Sequence, residues 1–545
     1  MNRTTPLLFL GIGLSLCAAT SAPGQTPTRI TVDAAAKRHP ISPLIYGTAF
    51  ATPEQLKLLR APLNRSGGNS STMYNWRANA TGHGNDWYFE SGSEPGTLPA
   101  ATSDAFVADS KAGGASPMLT VPMLGWVAKI GPKREVLGAF PLAKYGAQQK
   151  IEPYNPGIGN GVKPDGTNIT GNDFNEAATP ATPEFQRGWV QHLVGKWGKS
   201  NAGGVRYYLL DNEPSLWHST HRSVHPQGET MDEIWNDLHS YSAMIKSVDP
   251  NAQTLGPEEW GWPGFLTSGA DLLYQGAHNY QGHPDKDAHG GMDVIPWLLT
   301  QFHKDEQKTG QRLLDVLTVH IYPQGGDFTD DSTPKIQSLR NRSTRALWDA
   351  NYTDESWIKD KINLIPRLKN WVSSYYPGTK IGITEYNWGA EKTTGGATAQ
   401  ADLLGIFGRE GLDMATRWTT PATATPTFQA MKLYRNYDGQ GHAFGSVSVS
   451  DTVPDPDTLS SFAALRASDG ALTVMVINKS LTAPTPVALS LAHFAASGPA
   501  QVWQLGGTGA GISRLPNVAP VKGQLSATLP AQSVTLFVVP ASVKP

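Results

Sequence analysis

The chain has 545 residues, 39% of them hydrophobic and 17% charged, with a net charge of −2 and a pI near 6.7. That length accommodates about two to four domains. The balanced charge excludes a basic nucleic-acid surface and a polyanionic tail, so a neutral partner or substrate fits best.

The first 22 residues read as an export signal. Arg3 supplies the positive charge, Leu7 to Ala19 the apolar run, and Thr20-Ser21-Ala22 a small-residue cleavage region. A signal peptide over residues 1–24 makes the expected product a secreted protein, extracellular or periplasmic. The one cysteine, Cys17, lies inside that signal, which removes disulfides, thiolate metal sites and a cysteine nucleophile from the exported chain. No later stretch offers about 18 uninterrupted apolar residues, so no membrane partner is expected.

Residues 25–45 carry an alternating segment with Ile30 and Val32, which reads as an edge strand feeding the main body. Eight short apolar strands follow: Ile45 to Phe50, Pro62 to Gly67, Pro117 to Met123, Val205 to Leu210, Thr254 to Glu258, Leu314 to Tyr322, Lys380 to Tyr386 and Leu412 to Trp418. Amphipathic segments separate the later ones. Helices are predicted over Pro183 to Trp197, Met231 to Val248, Val294 to Thr309, Trp357 to Tyr376 and Ala399 to Glu410. Eight strands alternating with helices over residues 46–438 are the α/β pattern of a (β/α)8 TIM barrel, with a doubly wound open sheet as the alternative.

Past Gly439 the pattern changes to short β-branched strands separated by Gly, Pro and Asp, from Phe444 to Asp451 through Ser533 to Val539. Residues 439–545 therefore read as an all-β sandwich, completed by the amino-terminal strand. Two loops, Tyr154 to Asn175 and Gly276 to Gly291, leave room for a structural calcium ion, though neither has the spacing of an ion-binding loop.

Two strands end in the same way. VRYYLLDNEP delivers Glu213 at the end of the fourth, and KIGITEYNW delivers Glu385 at the end of the seventh. Alone, each glutamate is as readily a structural carboxylate. In a closed barrel both strands open on one rim, so the two can face each other across its mouth. Paired carboxylates in an aromatic cleft are what glycoside hydrolysis requires, one protonated as acid and one ionised. Trp76, Trp126, Trp217, Trp388 and Trp418 follow predicted strands, where flat faces can stack on sugar rings.

These residues resemble glycoside hydrolase family 44. The likeness rests on NRSGGNSSTMYNWRAN from Asn64, YLLDNEPSLWHSTHRSVHP from Tyr208, DPNAQTLGPEEWGW from Asp249, HIYPQ from His320 and GITEYNWG from Gly382. It implies a barrel paired with a β-sandwich. It also implies retaining endo-hydrolysis of β-1,4-glucans such as cellulose derivatives and xyloglucan, with Glu213 as general acid/base and Glu385 as nucleophile.

Supporting roles follow from chemistry. Asn212 is placed to hydrogen-bond the sugar 2-hydroxyl, Tyr322 to donate to Glu385, Arg65 and Asn69 to orient nucleophile or sugar, and Trp418 to floor the reacting subsite. His218 and His320 complete the expected substrate contacts. No cofactor or catalytic metal is expected, and the expected state is a monomer acting on a polysaccharide. Competing readings are an exo-acting arabinofuranosidase, a mannan or xylan hydrolase, and a non-catalytic carbohydrate-binding barrel. The cluster His218, His221 and His225 admits a metal-dependent hydrolase, but lacks the helical spacing of zinc proteases.

Overall fold

The computed structural model describes residues 26–506 and 509–542; the export signal and its boundary lie outside them. Eight parallel strands close into a barrel. In chain order they are β1 (Gly47–Ala49), β2 (Leu63–Ser66), β3 (Ser116–Val121), β4 (Tyr207–Leu210), β5 (Gln253–Glu259), β6 (Val316–Ile321), β7 (Lys380–Tyr386) and β8 (Met414–Arg417). Each pairs with its sequence neighbours, and β8 returns to β1 through Thr416 opposite Gly47. All eight coincide with predicted strands, and the open-sheet alternative falls with the closure.

Alternation along each strand divides two cores. Leu63, Met118, Tyr207, Leu209, Leu255, Val316 and Met414 fill the barrel interior. Their neighbours Tyr208, Leu210, Leu317, Val319, Ile381 and Ile383 face the surrounding helices in a larger cluster.

The helices Pro183–Trp197, Met231–Val248 and Val294–Thr309 match expectation to the residue. The first opens on Thr182, whose hydroxyl accepts from the Phe185 N–H, with Pro183 at its first position. The second carries a reciprocal cap between Thr230 and Glu233.

Two helices differ. The predicted Trp357 to Tyr376 helix begins only at Leu364, after Asn363 in a left-handed conformation (φ 43°). The predicted Ala399 to Glu410 helix instead spans Thr394–Arg409. Gly395 and Gly396 mask its first turn, because a glycine pair reads as a breaker; a Cβ at Gly396 would collide with the Ala390 carbonyl. Among the described residues, five helices of seven residues or more escape the sequence reading altogether: Pro53–Leu59, Ala101–Ala112, Gly269–Ala277, Pro334–Ser343 and Pro426–Arg435.

The carboxy-terminal strands form a second, all-β unit in one sheet path. The amino-terminal strand Thr28–Asp33 is not an edge. It lies between Val447–Thr452, which it meets antiparallel, and Thr485–Ala492, which it meets in parallel. Ile30 and Val32 are fully buried there with Val474, Val476, Leu489 and Phe537 in a core separate from the barrel's. Strands Leu459–Leu465, Gly509–Val518 and Gln524–Leu529 add to those expected.

Candidate active site

The carboxyl ends of the strands carry the candidate chemistry. Leaving β4, the chain turns through Asp211 (φ 61°) and Glu213 (φ 50°), both left-handed. Asp211 is buried and holds this turn: its carboxylate accepts from the Asn212 N–H at 2.8 Å, the Leu124 N–H at 3.1 Å and the Met123 N–H. Burial pushes its pKa up to about 7. The Glu213 N–H donates to the Glu258 carbonyl at 3.0 Å, tying the β4 exit to β5.

Glu385 lies within β7, buried to 4% exposure. Arg65 on β2 donates to its Oε1 at 2.5 Å and the Tyr322 hydroxyl to its Oε2 at 2.8 Å. These bonds fix both oxygens of the carboxylate. One oxygen of Glu213 and one of Glu385 lie within 4.8 Å of each other, with a His320 nitrogen within the same distance of both.

His320, next to last in β6, lies at the centre of the network. Its Nδ1 is 2.9 Å from Glu213 Oε1 and its Nε2 3.2 Å from Glu258 Oε2. Burial alone would discharge the ring; the Glu385 charge and the contacts with Glu213 and Glu258 overcome this and raise its pKa to about 9. His320 is thus fully buried and bridges the carboxyl groups, which favour its protonated form.

Glu258, fully buried on β5, was not singled out from the sequence. It takes hydrogen bonds from His320 and from Arg65 Nη2 at 3.1 Å. Burial opposes its charge, but His320 and Arg65 hold its pKa below the usual glutamate value. Burial raises the pKa of Glu213, and the Glu385 charge adds to that, against the pull of His320 and Arg65. Three carboxyl groups therefore face two cations, Arg65 and His320. Between Glu213 and Glu258, it is Glu213 whose pKa is raised.

Asn212 Oδ1 accepts from the Gly68 N–H and Arg65 Nη2, while its amide donates to Asn69 Oδ1 at 3.2 Å. One amide hydrogen stays free. Arg65 lies under the Trp418 ring, its guanidinium carbon 5.6 Å from the ring centre. Gly68 (φ 79°) admits that ring; a Cβ there would sit 2.5 Å from it. Trp418 and Tyr322, with Gln324 and Phe328, line an open depression of about 460 Å³.

The other expected contacts lie elsewhere. Trp217 and Trp388 are buried, to 1% and 3% exposure, and donate to the Asn212 carbonyl and Ser343 Oγ. Trp76 donates to the Phe185 carbonyl and packs beside the Pro183–Trp197 helix. Trp126 meets Phe174 edge-on, and His218 is half-buried in the short helix Trp217–Thr220. Trp217 and Trp388 are thus buried, while Trp76, Trp126 and His218 keep part of their surface exposed. Among the described residues Glu213, His320 and Glu385 form the one group with metal-ligand spacing, and His218, His221 and His225 are not part of it.

The sequence matches glycoside hydrolase family 44 over residues 80–325. It is 31% identical to Endoglucanase A of Paenibacillus lautus over 99% of this chain and 77% of that protein. Among solved structures, a bifunctional glucanase-xylanase from a metagenome library is 56% identical, with a TM-score of 0.94 over 95% of this chain and 100% of its own. A Paenibacillus polymyxa xyloglucanase of the same family, solved with xyloglucan, is 28% identical, with a TM-score of 0.77 over 94% and 100%. The chain is a glycoside hydrolase and belongs to family 44.

Proposed function

We propose that this protein is a secreted endo-β-1,4-glucanase that cleaves its polysaccharide with retention of configuration. The observation that supports the mechanism is that one oxygen of Glu213 and one of Glu385 lie within 4.8 Å of each other. Retaining glycosidases hold their carboxyl groups about 5–5.5 Å apart; inverting ones need about 6.5–9.5 Å, to admit a water.

In this reading Glu385 attacks the anomeric carbon, with Arg65 and Tyr322 fixing its oxygens, while protonated Glu213 donates to the departing glycosidic oxygen. The covalent ester removes the Glu385 charge that helps keep the proton on Glu213. Glu213, now ionised beside the His320 cation, is set to deprotonate the incoming water. The free Asn212 amide hydrogen suits the sugar 2-hydroxyl, and Trp418 suits the ring face.

Relatives named as an endoglucanase, a glucanase-xylanase and a xyloglucanase support a β-1,4-linked backbone. The open depression beside Tyr322 favours internal cleavage over an exo-acting pocket. Proton NMR of a cello-oligosaccharide digest tests the proposal. The β-anomer should appear first and equilibrate later; initial α-product would overturn retention, and no internal cleavage of any β-1,4-glucan would overturn the activity.

A further inference from the structure

A cavity of about 440 Å³ lies between the barrel and the all-β unit, away from the catalytic rim. Its barrel wall is the carboxyl-terminal half of the Thr394–Arg409 helix together with Trp348; its other wall is formed by Val447–Thr452 and Leu459–Leu465. It shares no residue with the network around Glu213 and Glu385. The volume falls within the range of small-ligand sites, about 300–1,000 Å³.

Its polar lining is incompletely paired. Asp402, 1% exposed, spends Oδ2 on Lys479 (2.7 Å) and Thr344 (2.7 Å), while its buried Oδ1 has no partner. Arg409 spends Nε on Glu410 and lies 4.2 Å over the Trp348 ring, while its Nη2 has no partner. An unmet buried polar group costs about 1–3 kcal/mol. The cavity therefore presents an unused acceptor and an unused donor, beside an indole and the hydroxyls of Ser448, Ser450 and Ser460.

Charge narrows the ligand. Lys37, Arg345, Arg409 and Lys479 face Asp402, Glu410 and Asp451, and most of these are already paired: Lys479 with Asp402, Arg345 with Asp349 and Asp457, Arg409 with Glu410. A nearly balanced site attracts neither a strong anion nor a cation. Hydroxyl groups suit it, since each can donate to Asp402 Oδ1 or accept from Arg409 Nη2.

We propose that this interdomain cavity is a second carbohydrate site, which takes a neutral mono- or disaccharide and is separate from the catalytic groove. Because both units supply its walls, occupancy also braces one against the other. Only the choice of a β-glucoside as probe rests on the function proposed above.

Calorimetric titration of the full chain carrying Glu385→Ala with methyl β-cellobioside tests it, alongside methyl β-glucoside, methyl β-xyloside and methyl α-maltoside. Two sites per chain are expected for at least one saccharide. Adding Ser450→Phe, which fills the cavity, should reduce them to one, and Arg409→Met should weaken the second site tenfold or more. If no site, whether one or two are counted, is abolished by Ser450→Phe and weakened by Arg409→Met, the proposal is overturned. Hydrogen exchange on the unsubstituted protein supplies a readout that needs no variant to fold. Saturating saccharide should protect Ser448–Thr452 and Ile406–Glu410; no protection, or protection by malonate but by no saccharide, overturns the site equally. A β-glucanase reading that failed would remove the groove's site and leave the site sensitive to Ser450→Phe and Arg409→Met, so the two failures are distinguishable.

Discussion

Burial and the neighbouring Glu385 charge raise the pKa of Glu213, and that dependence can be measured. Glu213→Gln should lower kcat by roughly 10²–10⁴-fold on a polysaccharide, as expected when a general acid is lost. On an aryl glycoside whose leaving group needs no protonation, glycosylation should be nearly unaffected; an equal loss on both substrates would remove the acid role. Activity should also fall as pH rises through the raised pKa of Glu213. Glu258→Gln takes away one carboxylate that sustains the His320 cation, so His320 should discharge at lower pH and the alkaline limb of the profile should move. An unmoved limb with reduced kcat would instead make Glu258 a packing group. The Glu213 and Glu385 pair was legible because each follows a recognisable apolar strand. Glu258 follows the same rule on β5, in GPEEW, yet nothing in one sequence distinguishes a strand-end glutamate that bridges a histidine from one that is solvated.

Among the elements, the turn after β4 rests on a carboxyl behind it. Glu259, at the end of β5, accepts from Ser215 Oγ at 2.6 Å and from the Ser215 N–H at 3.3 Å, two residues beyond Glu213. It is 2% exposed, and burial raises its pKa to about 8. The folded state therefore keeps a proton that the unfolded chain releases near pH 4.5. The sign follows: this group's contribution to stability is full below about pH 4.5 and is lost as pH rises toward 8. Glu259→Gln keeps the hydrogen-bonding shape without the charge. Its melting temperature relative to the parent should be higher at pH 8 than at pH 4.5, and an equal difference at both would refute the buried proton. Glu259→Leu loses the anchor as well, and should lower kcat where Gln does not. Helices were legible where apolar spacing and capping residues agreed, as at Thr182-Pro183 and Thr230. Pro53–Leu59 and Pro426–Arg435 carried caps of the same kind, at Thr52 and Thr425, but were too short to show a period. The aromatic residues were less legible for a related reason: position after a strand does not say whether an indole faces the mouth, as Trp418 does, or is buried, as Trp388 is.

For the whole molecule, the helix Thr394–Arg409 decides whether the barrel can stand alone. Every residue from Gly395 to Gly408 is buried, which a helix packed on one face cannot achieve. One side lies on the barrel; on the other, Gly405 meets the Phe462 ring and Gly408 meets Ile41. The sheet is thus the second wall of a helix that leaves the strand bearing Glu385. The amino-terminal strand reinforces that wall from inside the sheet, where Ile30 and Val32 fill the second core. Ile30→Ala should cost about 2–5 kcal/mol, as for other buried large-to-small changes. If the two units are one cooperative structure, the loss should appear as a lower denaturant midpoint for the entire chain, with activity lost in the same transition as the β-sheet signal. A barrel that stays active after the sheet unfolds would show the units to be independent. Truncation after Gly439 makes the same argument more severely: it bares the apolar outer face of that helix, so the fragment should aggregate, and a soluble fragment with full kcat would refute the dependence.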